Sequence, residues 1–285
     1  MTGILYVVAT PIGNLQDITL RALHVLKTVD LIACEDTRHT RKLLSHFQIH
    51  QSTESFHEHN ERGKLGRLTA LLRDGKSIAL VSDAGTPTIS DPGYRLVRRC
   101  VEEGIRVVPI PGAVAAVAAL SVSGLATNTF TFLGFPPAQT AARRALLEQV
   151  RHSPNTLIFY ESPRRTPAFL RAAAEILGAR STMVARELTK AHETFYHGTL
   201  TALAKQFEGE NQVLGEVTIV ITGSEEVFIE KPALEVPGTI YEHLAAVMAR
   251  TGLRKNDAIK VVAKERHLSR HAVYDALIPD KAGEE

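Results

Sequence analysis

Short apolar runs alternate with longer amphipathic stretches through residues 1–125, and that alternation predicts strands and helices in turn. Strands are expected at Gly3 to Thr10, Leu31 to Glu35, Thr53 to Phe56, Ile78 to Val81 and Arg106 to Ile110. Helices are expected between them at Thr19 to Val29, where Leu20, Leu23 and Leu26 recur on one side, and at Thr37 to Phe47, Glu61 to Leu72 and Tyr94 to Glu103. A helix of small residues should follow Pro111-Gly112. Such βαβα order implies a parallel sheet with helices on both faces.

The pattern changes in residues 126–224. Strands are expected at Phe130 to Gly134, Thr156 to Tyr160, Thr182 to Arg186, Thr194 to Gly198 and Val217 to Thr222, with helices at Arg143 to Arg151, Pro167 to Leu177 and Leu200 to Phe207. Two successive strands around Arg186 and His197 predict a hairpin, and so a second, mixed α/β domain. Residues 225–238 read as a linker carrying Pro232 and Pro237. Residues 239–285 read as a small helical module with helices at Tyr241 to Met248, Lys255 to Arg266 and Ser269 to Leu277, the last opened by Ser269 as N-cap. Two helices joined by the short His267-Leu268 turn have the pattern of a helix-turn-helix. The expected fold class is therefore α/β, two domains with a helix-turn-helix-like appendage.

Composition narrows the class without choosing a function. A chain of 285 residues with 44% hydrophobic content can bury substantial cores. The net charge of +2 is too small to demand a polyanionic partner, but it is unevenly spread. Seven Lys or Arg lie between Arg250 and Arg270 against only Asp257 and Glu265, which makes the module a candidate nucleic-acid surface. Cys34 and Cys100 sit inside apolar patterns and match neither a metal nor a disulfide framework, as in a reducing, cytoplasmic protein. Gly3 to Ala9 reads as strand and lacks the basic start of a targeting segment, and the run Ala113 to Ala126 is too short to span a bilayer.

The polar residues that carry chemistry gather where strands end. Ser82-Asp83-Ala84-Gly85-Thr86-Pro87-Thr88-Ile89-Ser90-Asp91-Pro92-Gly93 joins a buried-type strand to a helix, and in a parallel sheet such loops lie where ligands bind. Thr10-Pro11-Ile12-Gly13-Asn14 follows the first strand and could cradle a ligand, although it is no dinucleotide fingerprint. Glu35-Asp36-Thr37-Arg38 ends the second strand, with Asp36 placed to cap the next helix. His57-Glu58-His59 has no third ligand at metal-site spacing, so no metal is expected. Tyr160-Glu161-Ser162-Pro163-Arg164-Arg165 closes a strand with a carboxylate and two guanidinium groups suited to phosphate, and Arg186-Glu187-Leu188-Thr189-Lys190 closes another.

Taken together and in order, TPIGNL (10–15), EDTR (35–38), FHEHN (56–60), SDAGTP with SDPG (82–93), PGA (111–113), FYESP (159–163) and RELTK (186–190) resemble the ribosomal RNA small subunit methyltransferase I family, which has the tetrapyrrole methylase (class III methyltransferase) fold. The resemblance spans essentially the whole chain. It implies methyl transfer from S-adenosylmethionine to the ribose 2′-oxygen of a cytidine in small-subunit (16S) ribosomal RNA, within the assembled 30S subunit, by a homodimer. It also implies a cofactor folded between the two domains, touching Thr10, Pro11, Gly13, Ser82, Asp83, Ala84, Gly85, Pro87, Tyr160, Leu188 and Val217. The general base is open among Glu35, His57, Glu58 and Glu161, with Glu35 and Glu58 preferred.

After Gly134-Phe135 the chain departs from the family pattern, with Pro136-Pro137-Ala138-Gln139 where Leu-Pro and a nearby Lys are expected. Arg143 and Arg144 are the substitutes for that lysine as a phosphate contact. Arg38, Arg164, Arg165, Arg254, Lys255 and Lys260 complete the expected RNA-binding set. Two other readings share parts of the pattern. A uroporphyrinogen or precorrin methyltransferase would share fold and cofactor without needing EDTR, FHEHN or a basic module, and a DNA-binding regulator would use the module with the rest as an effector sensor.

Overall fold

In the computed structural model, which describes residues 2–208, 215–224, 238–266 and 268–277, the strands and helices expected from the pattern form with ends shifted by a few residues. The proposed linker lies outside the described residues apart from Gly238. The chain divides into two compact units, Met1–Glu226 and Val227–Glu285.

The first sheet of the larger unit contains β1 (Ile4–Val8), β2 (Leu31–Cys34), β3 (Thr53–Ser55), β4 (Ile78–Val81) and β5 (Arg106–Ile110), ordered β3-β2-β4-β1-β5 and parallel throughout. Burial on both sides explains the uninterrupted apolar sequence of β4, every residue of which is buried. On one face α1 (Leu20–Thr28) and α2 (Thr37–His46) bring Val25, Leu26 and Leu44 against Val8, Ile32 and Val81. On the other, α3 (Glu61–Arg73) and α4 (Tyr94–Glu102) bring Leu68, Leu72 and Leu96 against Leu5, Ala33 and Leu80. Neighbouring strand residues thus serve opposite cores, as the two-residue period requires.

The second sheet contains β6 (Phe130–Phe132), β7 (Thr156–Glu161), β8 (Ser181–Arg186), β9 (Thr194–Thr199) and β10 (Val217–Ile221), ordered β6-β7-β10-β8-β9. β6 and β7 are parallel; β10 runs antiparallel to both β7 and β8, and β8 and β9 form the expected hairpin. One face packs under α7 (Thr166–Leu177) and α8 (Leu200–Glu208), through Phe169, Leu170, Leu203 and Phe207 against Phe159, Val184 and Ile219. The other face receives α5 (Ala115–Val122), the helix of small residues: Ala116, Ala119 and Leu120 pack on Ile158, Met183, Ala185 and Val220. Alanines at these positions let the helix backbone approach the sheet closely, so a helix contributed by the first βα series covers the second sheet.

α6 (Thr140–Gln149) starts three residues before the expected Arg143, after a Gln139 whose side chain makes no capping hydrogen bond. Arg143 is buried together with Leu147 one turn on, the i, i+4 spacing putting both on the inward face.

In the smaller unit α9 (Ile240–Thr251) opens with a capping box between Thr239 and Glu242, and α11 (Arg270–Asp275) opens with Ser269 accepting from the Ala272 amide, the cap expected from sequence. With α10 (Lys255–Glu265) they enclose Leu244, Val247, Ile259, Val262 and Val273. Buried His243 joins Glu265 through Nε2 at 2.8 Å and accepts at Nδ1 from Arg266 at 3.1 Å. No helix among the described residues is long and apolar enough to cross a membrane.

Candidate active site

At the carboxyl ends of β1 and β4 the following loops pair as one antiparallel bridge, Thr10 N–H to Gly85 O at 2.8 Å and Gly85 N–H to Thr10 O at 3.1 Å. The buried Thr10 hydroxyl donates toward Ser82 O and Gly85 O, and the buried Ser82 hydroxyl toward Ala84 O and Gly85 O. Thr10 and Ser82 therefore shape the loop. The side chain of Asp83 accepts from the Asp36 amide at 3.0 Å, tying the loop to the start of α2, where Asp36 is the cap.

A second clasp closes from the other sheet. Gly13 lies under the Arg186–Lys190 loop so closely that a Cβ would stand 2.5 Å from Lys190 Cγ and 2.9 Å from Leu188 O, and Asn14 N–H donates to Thr189 Oγ1 at 3.0 Å. Lys190 is anchored by Glu187 at 2.8 Å and Glu216 at 3.2 Å. From β7, the Tyr160 hydroxyl accepts from Ala116 N–H of α5 at 3.0 Å.

Between these loops lies a cleft of about 430 Å³ lined by both sheets. Its size lies within the range of small-molecule sites. Of the residues expected to hold a cofactor, Asp83, Ala84, Gly85, Tyr160, Leu188 and Val217 line it. Thr10, Pro11, Gly13 and Ser82 instead line an adjoining pocket of about 290 Å³ that shares Ile12, Asp83, Ala84 and Glu216 with the cleft. Pro87 is buried and lines neither cavity.

The electrostatics of the cleft are set by carboxylates. Glu35, Asp83 and Asp91 share it, with Glu161 at the far wall. Burial raises Glu35, and the negative Asp83 raises it further, while His57 opposes both. Asp91 is pushed up to about 7 by burial and by the charge of Glu35. Burial also raises Glu161, against the Ser162 amide at 2.8 Å and the charges of Arg165 and Arg143. Burial, with a neighbouring carboxylate's charge added, holds Glu35 and Asp91 above the ordinary carboxylate range, which suits the cleft to a cationic ligand that would draw their protons off.

Asp91 was not among the expected site residues, although the SDPG stretch that contains it was; its Asp-Pro-Gly setting reads as turn chemistry. Glu58 does not reach the cleft. It is exposed in the loop where His57 and Asn60 bind each other, at 2.9 Å from His57 N–H to Asn60 Oδ1. The expected phosphate-binding cations also separate. Arg143 is buried, where Glu161 feels its charge, so it is no surface substitute for a lysine. Arg165 braces the same region, lying 3.2 Å from Glu161 and donating to Pro136 O. Arg38, Arg144 and Arg164 are exposed, the first two in ion pairs with Asp36 and Glu175. In the smaller unit Arg254 and Lys255 are exposed at the start of α10, and Lys260 pairs with Asp257 at 2.6 Å.

The chain matches the family profile of the tetrapyrrole (corrin/porphyrin) methylases over residues 4–204. It is 48% identical to the ribosomal RNA small subunit methyltransferase I of Synechocystis sp., over 95% of this chain and 96% of that one. Against the protein of the same name from Bacillus subtilis it is 45% identical, over 96% and 94%. Among solved structures, a uroporphyrin-III-C-methyltransferase of Thermus thermophilus superposes with a TM-score of 0.55 at 19% identity, covering 77% of this chain and 94% of that one. A diphthine synthase superposes with a TM-score of 0.57 at 15% identity, over 77% and 90%. At those identities the structures share the fold.

The raised Asp91 gives a pH test. In the folded chain it holds its proton up to about 7, against an ordinary 3.8, so unfolding releases a proton between those values. The stability this contributes is full below the ordinary value and lost as pH rises through about 7. Asp91→Asn should therefore melt above the wild type near about pH 8, with the difference shrinking toward about pH 4. Parallel melting curves that stay offset equally across that range would remove the assignment.

Proposed function

Because the chain belongs to the tetrapyrrole (corrin/porphyrin) methylase family, we propose that its cleft binds S-adenosylmethionine and that it methylates the ribose 2′-oxygen of a cytidine in small-subunit (16S) ribosomal RNA. The observation that carries the reading is the near full-length similarity to proteins named ribosomal RNA small subunit methyltransferase I, joined to a cleft whose charge suits a cation. The residues fit the cofactor: carboxylates of Glu35, Asp83 and Asp91 complement its positive charges, and Ala84, Leu188, Val217 and Ile12 offer apolar wall. When bound, the cofactor supplies a methyl group made electrophilic by its sulfonium.

What remains for the protein is to orient the acceptor hydroxyl and take its proton. Glu35 is the base we assign. It lies in the cleft, and its negative charge is one of the causes that hold the proton of Asp91 to about 7. Glu58, exposed outside the cleft, takes no part. A tetrapyrrole acceptor bearing several carboxylates would meet like charge here, which disfavours that reading. We place the reaction in the cytoplasm, on the assembled 30S subunit. A homodimer would cover the half-exposed Val117, Val122 and Phe130 on α5 and β6.

RNA phosphates would be met by the exposed cations: Arg38, Arg144 and Arg164 in the larger unit, Arg254, Lys255 and Lys260 in the smaller. The reading is tested with labelled S-adenosylmethionine and undermethylated small subunits, beside uroporphyrinogen and DNA. Label should enter small-subunit RNA alone, and Glu35→Gln should lower kcat by roughly 100-fold or more. Label in uroporphyrinogen instead of RNA would overturn the assignment. The triple variant Arg254→Glu, Lys255→Glu, Lys260→Glu should weaken small-subunit binding and make its salt dependence shallower by roughly two in log–log slope. An unchanged slope would move RNA recognition to the larger unit.

A further inference from the structure

Two apolar side chains stand exposed at the cleft, and the chain is built to hold them there. Phe135 is 58% exposed and Ile89 42%, and both line the cleft. Phe135 follows β6 in a loop pinned on either side of it. Gly134 O accepts from Tyr160 N–H at 2.9 Å, and the carbonyl of buried Pro136 accepts from Arg165, itself paired with buried Glu161. Part of the Phe135 ring rests on Tyr160, with centroids 5.5 Å apart at 60°, and Tyr160 is fixed in turn by Ala116 and by the edge of Phe132 at 4.8 Å. The rest of the ring meets solvent.

Ile89 projects from the loop after β4, between Thr88 at φ +73° and Ser90 at φ +67°. A left-handed backbone at a β-branched threonine is costly and persists only where surrounding structure imposes it. The two loops touch: a Cβ on Gly134, itself at φ +61°, would stand 3.1 Å from Ser90 Oγ. Burying Phe135 and Ile89 would stabilise the protein, yet two hydrogen bonds, an ion pair and two unfavourable backbone conformations keep them out. Such an arrangement suits a flat, uncharged, π-faced ligand, because Glu35, Asp83 and Asp91 bar anionic groups from the interior.

We propose that Phe135 is the stacking platform for the nucleobase of the acceptor nucleotide, with Ile89 supplying apolar contact from the adjoining loop. The nucleotide leaves the RNA stack so that its ribose enters the cleft while its phosphates stay outside. This rests on the RNA-methylating function proposed above. Aromatic stacking of that kind tolerates every base and sets position more than sequence.

The chain contains no tryptophan, so Phe135→Trp creates a single fluorescent reporter in the full-length protein. An oligoribonucleotide carrying the target cytidine should quench it saturably, while S-adenosylmethionine alone should leave its emission unchanged. With undermethylated small subunits, Phe135→Ala should lower kcat/KM by roughly 10- to 100-fold, with Phe135→Tyr and Phe135→Trp retaining most activity and cofactor affinity unchanged throughout. A cooperative melting transition in Phe135→Ala, lowered by no more than the loss of the Tyr160 contact, separates this loss from misfolding.

Quenching by the cofactor alone would place the cofactor on Phe135 and overturn the proposal. Quenching that grows with protein concentration would assign the ring to a subunit contact, with the same consequence. Wild-type kinetics in Phe135→Ala, or full activity in Phe135→Leu, would also overturn it. If the wild type labels no small-subunit RNA, the proposed function itself fails; if it does and Phe135→Ala matches it, only the stacking assignment falls.

Discussion

The gathering of Glu35, Asp83 and Asp91 in one partly buried cleft is the constraint around which the larger unit is arranged. Burial and neighbouring charge make Glu35 and Asp91 harder to ionise than in open water, and the loops after β2 and β4 hold both beside Asp83 in one cleft. The Thr10–Gly85 bridge fixes the loop that carries Asp83, and the Asp36 amide takes up one Asp83 oxygen. The result is a site that binds protons without a ligand, Asp91 until about 7. Such a site is poised to exchange protons for a cationic ligand, and its cost to the empty protein is regained on binding.

The second sheet is needed to close that site, and its attachment explains several local oddities. α5 lends Ala116 and Ala119 to the second sheet and, through Ala116 N–H, holds the hydroxyl of Tyr160. Gly13 admits Leu188 and Thr189 at a distance no side chain would allow. Buried Arg143 and braced Arg165 offset the charge of Glu161, and Arg165 also fixes the loop of Phe135 through the Pro136 carbonyl.

Much of this was readable from the residues alone. Period and run length located the strands and helices, and Asp36 and Ser269 cap helices as their positions implied. Motifs at strand ends named most of the cleft, since a parallel sheet puts those ends together whatever the loops contain. What was not legible depends on partners distant in sequence. Arg143 shares the inward face of α6 with Leu147, and the Glu161 carboxylate that feels its charge belongs to β7. Asp91 acquires its proton affinity from Glu35 across the cleft, and a lone Asp-Pro-Gly carries no trace of it. Glu58 differs from Glu35 only in where its loop ends, exposed beside a His57–Asn60 turn.

The central claim is that one cleft, built by both sheets, takes the methyl donor. Hydrogen–deuterium exchange of the full chain with and without S-adenosylhomocysteine tests it most directly, because protection reports each loop separately. The account predicts slowed exchange in residues 82–91 and 35–36 from the first sheet together with 187–189 from the second, with little change around the Gly178–Arg180 turn at the opposite end of the second sheet. Protection confined to one sheet, or to residues outside the cleft, would contradict it.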